Sequence, residues 1–275
     1  MTDRDASQLW QIWPSRGNFI FLEGICITGR HPLILFLILL FAVIPYISFV
    51  LNNEQIGSIS LSVWILNIWF AITISLILKV SLSDPGIIPR RAVAKRMYAH
   101  ILDRNEAESL IDPYKGDPAS SFCYTCEISR PSQASHCSDC DNCVLGLDHH
   151  CAVLNNCIGL RNYPFFLLLL PSVFFTTVSL MFQIRVPGYE KQEGVEHSTT
   201  YTFIIAISMT IAIVSLSFVS GLLLYHTWLV CVNKTTRQHL RGKVHGNSSI
   251  WNRLKGSDSL FNLRDPVNLP ARTEC

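Results

Sequence analysis

HPLILFLILLFAVIPYISFVL, residues 31–51, carries no Asp, Glu, Lys or Arg. A membrane span needs about 20 apolar residues at 1.5 Å rise each, and this run meets that length. Working outward, SISLSVWILNIWFAITISLILKVSL (58–82), YPFFLLLLPSVFFTTVSLMFQI (163–184) and YTFIIAISMTIAIVSLSFVSGLLLYHTWLVCV (201–232) repeat the pattern. Buried helices of soluble domains seldom hold more than about 14 such residues without a break, so four transmembrane helices are predicted. Composition agrees. Hydrophobic residues make up 49% of the 275 and charged residues 15%, against roughly a quarter charged in soluble domains. The first run begins beyond residue 30 without a short basic leader, which predicts a span rather than a cleaved signal. Pro45 and Pro171 fall inside spans, where neighbouring helices can satisfy the freed backbone groups.

The basic residues orient the chain. Arg4, Arg16 and Arg30 precede the first span, and segment 83–162 and the tail after 232 carry eight Lys or Arg each. The loop at 52–57 has none, and 185–200 has Arg185 and Lys191 against three Glu. The positive-inside rule then predicts both termini and the central segment in the cytosol. The net charge of +2 gives no reason to expect nucleic acid as a partner, and anionic lipid headgroups account for the basic residues. The expected organisation is a cytosolic segment 1–30, spans within 31–82, a cytosolic segment 83–162, spans within 163–232 and a cytosolic tail 233–275. Residues 9–21, LWQIWPSRGNFIF, have the apolar and aromatic content of an interfacial segment, although a partly ordered tail reads equally well. Residues 87–120 show only weak periodicity.

The central segment holds the chemistry. Of ten cysteines, seven fall between 123 and 157: Cys123, Cys126, Cys137, Cys140, Cys143, Cys151 and Cys157. His136, His149 and His150 share the window. Cytosolic thiols stay reduced, so such a cluster points to metal. The Cys-x2-Cys spacings at 123/126, 137/140 and 140/143 suit tetrahedral zinc. Four ligands per zinc make two sites and leave two residues over. If 149–151 is extended, His149 and Cys151 share one face and His150 points the other way. The simplest partition gives His150 to zinc and leaves His149 and Cys151 as a nucleophile with its base, with Asp148 to orient the histidine. Spacing alone leaves Asp148 and Cys151 open as ligands.

CYTCEISRPSQASHCSDCDNCVLGLDHHCAVLNNCIGLRNYPFF (123–166) resembles the cysteine-rich domain of DHHC-type protein S-acyltransferases, the palmitoyltransferases. Every Cys and His is in register with that pattern, as are Arg130, Pro131, Ala134, Asn162 and Phe166. Asp84-Pro85-Gly86 after the second span and Thr235-Thr236 after the fourth resemble the family's outlying DPG and TTxE motifs. The resemblance implies one zinc on Cys123, Cys126, His136 and Cys143, and a second on Cys137, Cys140, His150 and Cys157. It further implies Cys151 as acyl-accepting nucleophile, His149 as its base and Asp148 as the group that orients His149. The domain is expected within about 121–166 of an all-α membrane protein, between spans two and three. Implied partners are long-chain acyl-CoA as co-substrate, membrane-associated proteins with acceptor cysteines, and the lipid bilayer; an accessory subunit is left open. Implied residence is the eukaryotic endomembrane system, the Golgi before the ER or plasma membrane.

The chain departs from the family pattern in three places: Ala152-Val153 stand for Pro-Trp, Gln238 for the TTxE glutamate, and Gln133 for an arginine. The alternative they raise is a weakly active or inactive zinc-stabilised membrane scaffold. A zinc transporter would need several ligands inside the spans, where His226 is the one candidate in the sequence. It lies near the cytosolic end of its span, so snorkelling is as good a reading. Basic Arg130, Arg161, Lys234 and Arg237 are candidates for CoA phosphates, and Phe166, Leu169, Val173 and Thr176 for an acyl slot. Cys26 and Cys231 lie near membrane boundaries and are candidates for acylation, and Asn247 is a loose match to a family Asn.

Overall fold

The computed structural model describes residues 17–22, 26–54, 61–99, 104–183 and 199–242. Asn247, Cys275, the loop at 185–198 and most of the loop at 52–57 lie outside these or have no described side chains. Among the described residues, four helices are long and apolar enough to cross a membrane. They are α1 (Pro32–Glu54), α2 (Leu61–Leu82), α5 (Tyr163–Gln183) and α6 (Thr199–Cys231). Each begins and ends within a few residues of the apolar run that predicts it, because helix is the conformation that satisfies every backbone group within one segment in hydrocarbon. Pro45 and Pro171 sit inside α1 and α5 without ending them.

The all-α expectation fails in the polar parts. Nine short strands lie among the described residues: β1 (Asn18–Phe21), β2 (Cys26–Gly29), β3 (Ile87–Ile88), β4 (Ser121–Cys123), β5 (Ile128–Arg130), β6 (Ala134–Cys137), β7 (Asn142–Leu145), β8 (His149–Cys151) and β9 (Asn156–Ile158). All pair antiparallel, as β1–β2, β4–β5, β8–β9 and the three-stranded β3–β7–β6. The strands are two to four residues long, too short for an alternation to stand out in sequence. Two of the turns are closed by residues in the left-handed region just after a cysteine, Glu127 (φ 55°) and Asp141 (φ 52°). The weakly periodic stretch after β3 forms α3 (Arg91–Met97) and α4 (Arg104–Ile111). Arg91 holds these two together by donating to both carboxylate oxygens of Glu108 at 2.7 and 2.8 Å.

The described chain divides into two compact units. The first comprises residues 1–34, 79–166 and 229–275 and holds the cysteine-rich segment. Its core is small, and thiols form much of it: Ile27, Ile87, Val93, Val144 and Leu147 pack with Cys137, Cys140 and Cys157. A second cluster joins Ile88, Ile128, Leu145 and Leu160 to Cys123, Cys126 and Cys143. Asp84 accepts from Gly86 N and Ile87 N at 2.8 and 2.9 Å and pairs with Arg161. Thus Arg161 has a structural partner in the DPG turn. Short α7 (Thr236–Arg241) ends on Gly242 at φ 62°.

The second unit comprises residues 35–78 and 167–228. Phe49, Leu66, Leu180 and Ile205 form its core, one from each long helix. Hydroxyl pairs tie the helices: Ser48 with Ser208 at 2.5 Å, Thr73 with Ser172 at 2.6 Å, and Thr73 with Thr176 at 2.8 Å. Tyr46 donates to Asn67 Oδ1 at 2.6 Å. Such bonds join helices in lipid, where apolar contact alone discriminates little. Leu169 and Thr176 are buried, so neither is simply in contact with lipid. His226 is also buried, edge-on to Tyr225, which corrects the snorkelling reading.

Candidate active site and metal centres

The β hairpins decide which ligands meet. His136 stands directly across from Cys143 in β6–β7, and His150 across from Cys157 in β8–β9. Directly opposed residues share a face with Cβ atoms about 5 Å apart. Alternation along β6 turns Cys137 away from His136, toward the other set. The β4–β5 turn supplies Cys123 and Cys126, and the turn after β6 supplies Cys140. Two groups of four result: Cys123, Cys126, His136 and Cys143, and Cys137, Cys140, His150 and Cys157, with the donor atoms of each within 4.8 Å of one another.

The spacing within each group fits zinc. Zn–S near 2.3 Å and Zn–N near 2.0–2.1 Å give tetrahedral edges of about 3.6 Å for S···N and about 3.8 Å for S···S. His136 Nδ1 lies 3.4, 3.7 and 3.9 Å from the sulfurs of Cys126, Cys123 and Cys143. His150 Nδ1 lies 3.4 and 3.7 Å from Cys140 and Cys157, whose sulfurs are 3.3 Å apart. Their protonation tells the same story. A hydrogen bond from Cys143 draws Cys126 down to about 5, and Cys143 is pushed up in return. Cys137 is pulled far down by bonds from Cys140 and Cys157, while Cys157 is pushed up by its bond to Cys137. Hydrogen bonds to Cys137 and Cys140 raise His150 to about 10. Thiols packed this closely ionise at one another's expense, and a divalent cation relieves that conflict. Each of the two clusters can hold a zinc ion.

Asp148, His149 and Cys151 stay outside both groups. His149–Cys151 is the strand β8, so His149 and Cys151 share a face while His150 turns toward its cluster. Asp148 is 1% exposed. Its Oδ2 lies 2.9 Å from His149 Nδ1, and its Oδ1 accepts from Thr236 N at 3.1 Å. Burial pulls the His149 pKa down, but hydrogen bonds to Asp148 and Cys151 and the attraction of both outweigh it and hold it at about 9. Phe166 meets the His149 ring edge-to-face, centroids 5.4 Å apart. Cys151 is half-buried, and Ala152 and Val153 beyond it are exposed.

Sequence reading located the Thr235-Thr236 motif without its target. The structure supplies one: the Thr236 N–H lies on Asp148. Thr235 caps α7, accepting from Gln238 N at 3.0 Å, while its own N–H donates to Gln238 Oε1 at 2.9 Å. Glutamine serves a capping box as glutamate does, so this departure from the family pattern keeps the turn. Asn155 and Asn156, for which no role was read, are buried and bind backbone on both sides of the hairpin.

A family model described as DHHC palmitoyltransferase matches residues 117–243. The human palmitoyltransferase ZDHHC18 is 28% identical over 275 residues, covering 94% of this chain and 68% of that protein. The mouse palmitoyltransferase ZDHHC14 is 28% identical over 273 residues, with 92% of this chain and 54% of that protein covered. The zebrafish palmitoyltransferase ZDHHC18-B is 30% identical over 279 residues, with 89% and 67% covered. The matched region holds both four-ligand clusters, the Asp148-His149-Cys151 set and the capped turn that meets Asp148, and with these relatives it shows that the chain belongs to the DHHC palmitoyltransferase family.

Proposed function

We propose that this protein S-palmitoyltransferase works through Cys151 as nucleophile, His149 as general base and Asp148 as the group that orients the base. The observation that carries the reading is the 2.9 Å contact of Asp148 Oδ2 with His149 Nδ1, which fixes that nitrogen as the donor and leaves Nε2 for the thiol on the same face of β8. His149, with its pKa held at about 9, takes the Cys151 proton first, and the resulting thiolate attacks the thioester carbonyl of a long-chain acyl-CoA. The carbonyl–sulfur bond to CoA breaks, the CoA thiolate leaves with that proton, and S-acyl-Cys151 remains. A cysteine of a substrate protein then gives its proton to His149 and attacks the acyl-enzyme, and Cys151 departs as the thiol. One thioester is exchanged for another in each half, so no external energy source is needed, and ping-pong kinetics are expected.

Cys123, Cys126, His136 and Cys143 would hold one zinc, and Cys137, Cys140, His150 and Cys157 the other. With four protein ligands each, these ions supply structure: they hold a module whose apolar core is small. The bilayer serves the substrate. Each buried methylene contributes about 0.8 kcal/mol, so a sixteen-carbon chain prefers hydrocarbon to water by roughly 10 kcal/mol. A reaction at the membrane face never has to bring that chain into water. Both termini and the cysteine-rich segment then face the cytosol, where acyl-CoA is found, and the Golgi is the proposed residence.

The test is acyl transfer from labelled palmitoyl-CoA to the purified protein, wild type beside Cys151→Ser, with zinc counted on both. Thioester label on the wild type alone, with two zinc ions on each, is expected. A fully zinc-loaded wild type without label would replace the enzyme by a scaffold, the reading that Ala152-Val153 favours.

A further inference from the structure

The β1–β2 hairpin presents an apolar face that the acyl-transfer chemistry does not use. Its strands alternate. Asn18 and Ile20 turn inward, Ile20 packing with Ile27 against the Cys137–Cys140 cluster. Phe19, Phe21 and Leu22 turn outward, 51%, 40% and 63% exposed. Single exposed apolar residues are ordinary, but two phenylalanines and a leucine on one four-residue strand and its turn form a contiguous patch.

Chain connection says what meets that patch. β2 ends at Gly29, and the first span begins at Pro32. Three residues reach at most about 11 Å, so the Asn18–Gly29 end of the hairpin lies within that distance of the start of the span. Arg30 and His31 are exposed between the two, at the level where basic and polar side chains meet headgroups. Leu33, four residues beyond Gly29, is likewise apolar and exposed.

The hairpin is also fastened to the turn that follows Cys151. Asn155 O accepts from Gly29 N and from Thr28 Oγ1, the latter at 3.2 Å. Asn155 Oδ1 accepts from His31 N at 3.1 Å, and Nδ2 donates to Gly29 O at 3.1 Å and to Thr28 Oγ1 at 3.2 Å. Asn142 Nδ2 adds a bond to Asn18 Oδ1 at 2.7 Å. Asn155 itself sits at φ 49°, a conformation asparagine tolerates better than most residues.

We propose that the β1–β2 hairpin is a membrane-interface anchor. Phe19, Phe21 and Leu22 enter the boundary between headgroups and acyl chains, and the Asn155 clasp transmits that depth to Cys151. Insertion stops at the side chains, since backbone groups on the outer edge of β1 need water or headgroups as partners. The consequence for the reaction is positional. The thioester of a membrane-dissolved acyl-CoA emerges at one depth, and a nucleophile held off by even 1 Å loses much of its rate.

The experiment places the photo-crosslinking amino acid p-benzoylphenylalanine at position 19 or 21 of the full chain in phosphatidylcholine vesicles. Position 36 serves as a lipid-facing control and position 27 as a buried one. Adducts carrying the mass of one phospholipid at 19, 21 and 36, and none at 27, are expected. Adducts at 36 alone overturn the proposal, as do adducts from 19 or 21 to residues 1–16 or to a second copy. This readout needs no turnover, so it stands or falls apart from the catalytic assignment. In a second arm, Phe19→Ser with Phe21→Ser keeps two zinc ions and slows labelling by vesicle-bound palmitoyl-CoA about tenfold. Labelling by water-soluble butyryl-CoA stays unchanged. Equal slowing with both donors overturns the depth argument.

Discussion

Asn156→Ala tests how the zinc module is joined to the second span. Asn156 is fully buried. Its Nδ2 lies 2.8 Å from Ser83 O and 3.1 Å from Val80 O, with Ser81 O at 3.3 Å and Ile27 O at 3.4 Å. Val80 and Ser81 belong to the last turn of α2, whose carbonyls have no partner within the helix. An amide nitrogen has two hydrogens, so alanine removes two net bonds of about 0.5–1.5 kcal/mol each and leaves buried carbonyls without a donor, about 2–4 kcal/mol together. Oδ1 also accepts from Cys157 N at 2.9 Å, and Cys157 belongs to the second four-ligand group. That group should therefore loosen first. The assay is heat-driven zinc release in detergent micelles, followed with a chromophoric chelator. One zinc per chain should leave at a lower temperature and the other near the wild-type midpoint. Asn156→Asp should do as badly, since it sets a carboxylate oxygen against carbonyls. Joint release of both ions at the wild-type temperature from Asn156→Ala would refute the reasoning.

Asp148→Asn should keep both zinc ions but lose acyl-enzyme formation by about two to four orders of magnitude, as when a buried acid stops fixing its histidine; labelling from palmitoyl-CoA measures it. Gln238→Glu should preserve the stability of the α7 turn, whereas Gln238→Ala should cost about 0.5–1 kcal/mol through the lost capping box, read as a lower unfolding midpoint. His149 is held at about 9 against its ordinary 6.5. A raised folded-state pKa gives stability that is complete below about pH 6.5 and lost as pH rises through about 9. The midpoint of the wild type should therefore exceed that of His149→Gln at low pH, with the gap closing across that window.

The spans were legible because about twenty uninterrupted apolar residues have few other uses. The separation of His149 and Cys151 from the two four-ligand groups was legible because a period of two turns them away from His150, while their proposed roles came from the family resemblance. The hairpins were not. β4 and β5 are three residues each, and their stability comes from cross-strand contacts and from crowded ligands more than from an alternating face. Nor could composition show that Glu127 and Asp141 take left-handed turns, where glycine is the usual signal. The distant partners of Asn155, Asn156 and Thr236 lie 73 to 129 residues away in sequence, and no local pattern announces such pairs. His149 and Cys151, the proposed base and nucleophile, lie in one strand; the groups that surround them are distributed over the chain.

The interleaved ligand order has a consequence for synthesis. The first group is complete once Cys143 has emerged, but the second waits for Cys157, fourteen residues later. At about 5–20 residues per second that interval lasts roughly one to three seconds. During it Cys137 and Cys140 are already present without Cys157, and for the first half without His150, and they can compete with Cys123 and Cys126 for the first ion. The nascent chain must therefore either bind zinc reversibly in that window or be shielded from it, and a shortage or excess of free zinc during translation should show as misfolded product before it shows as lost activity.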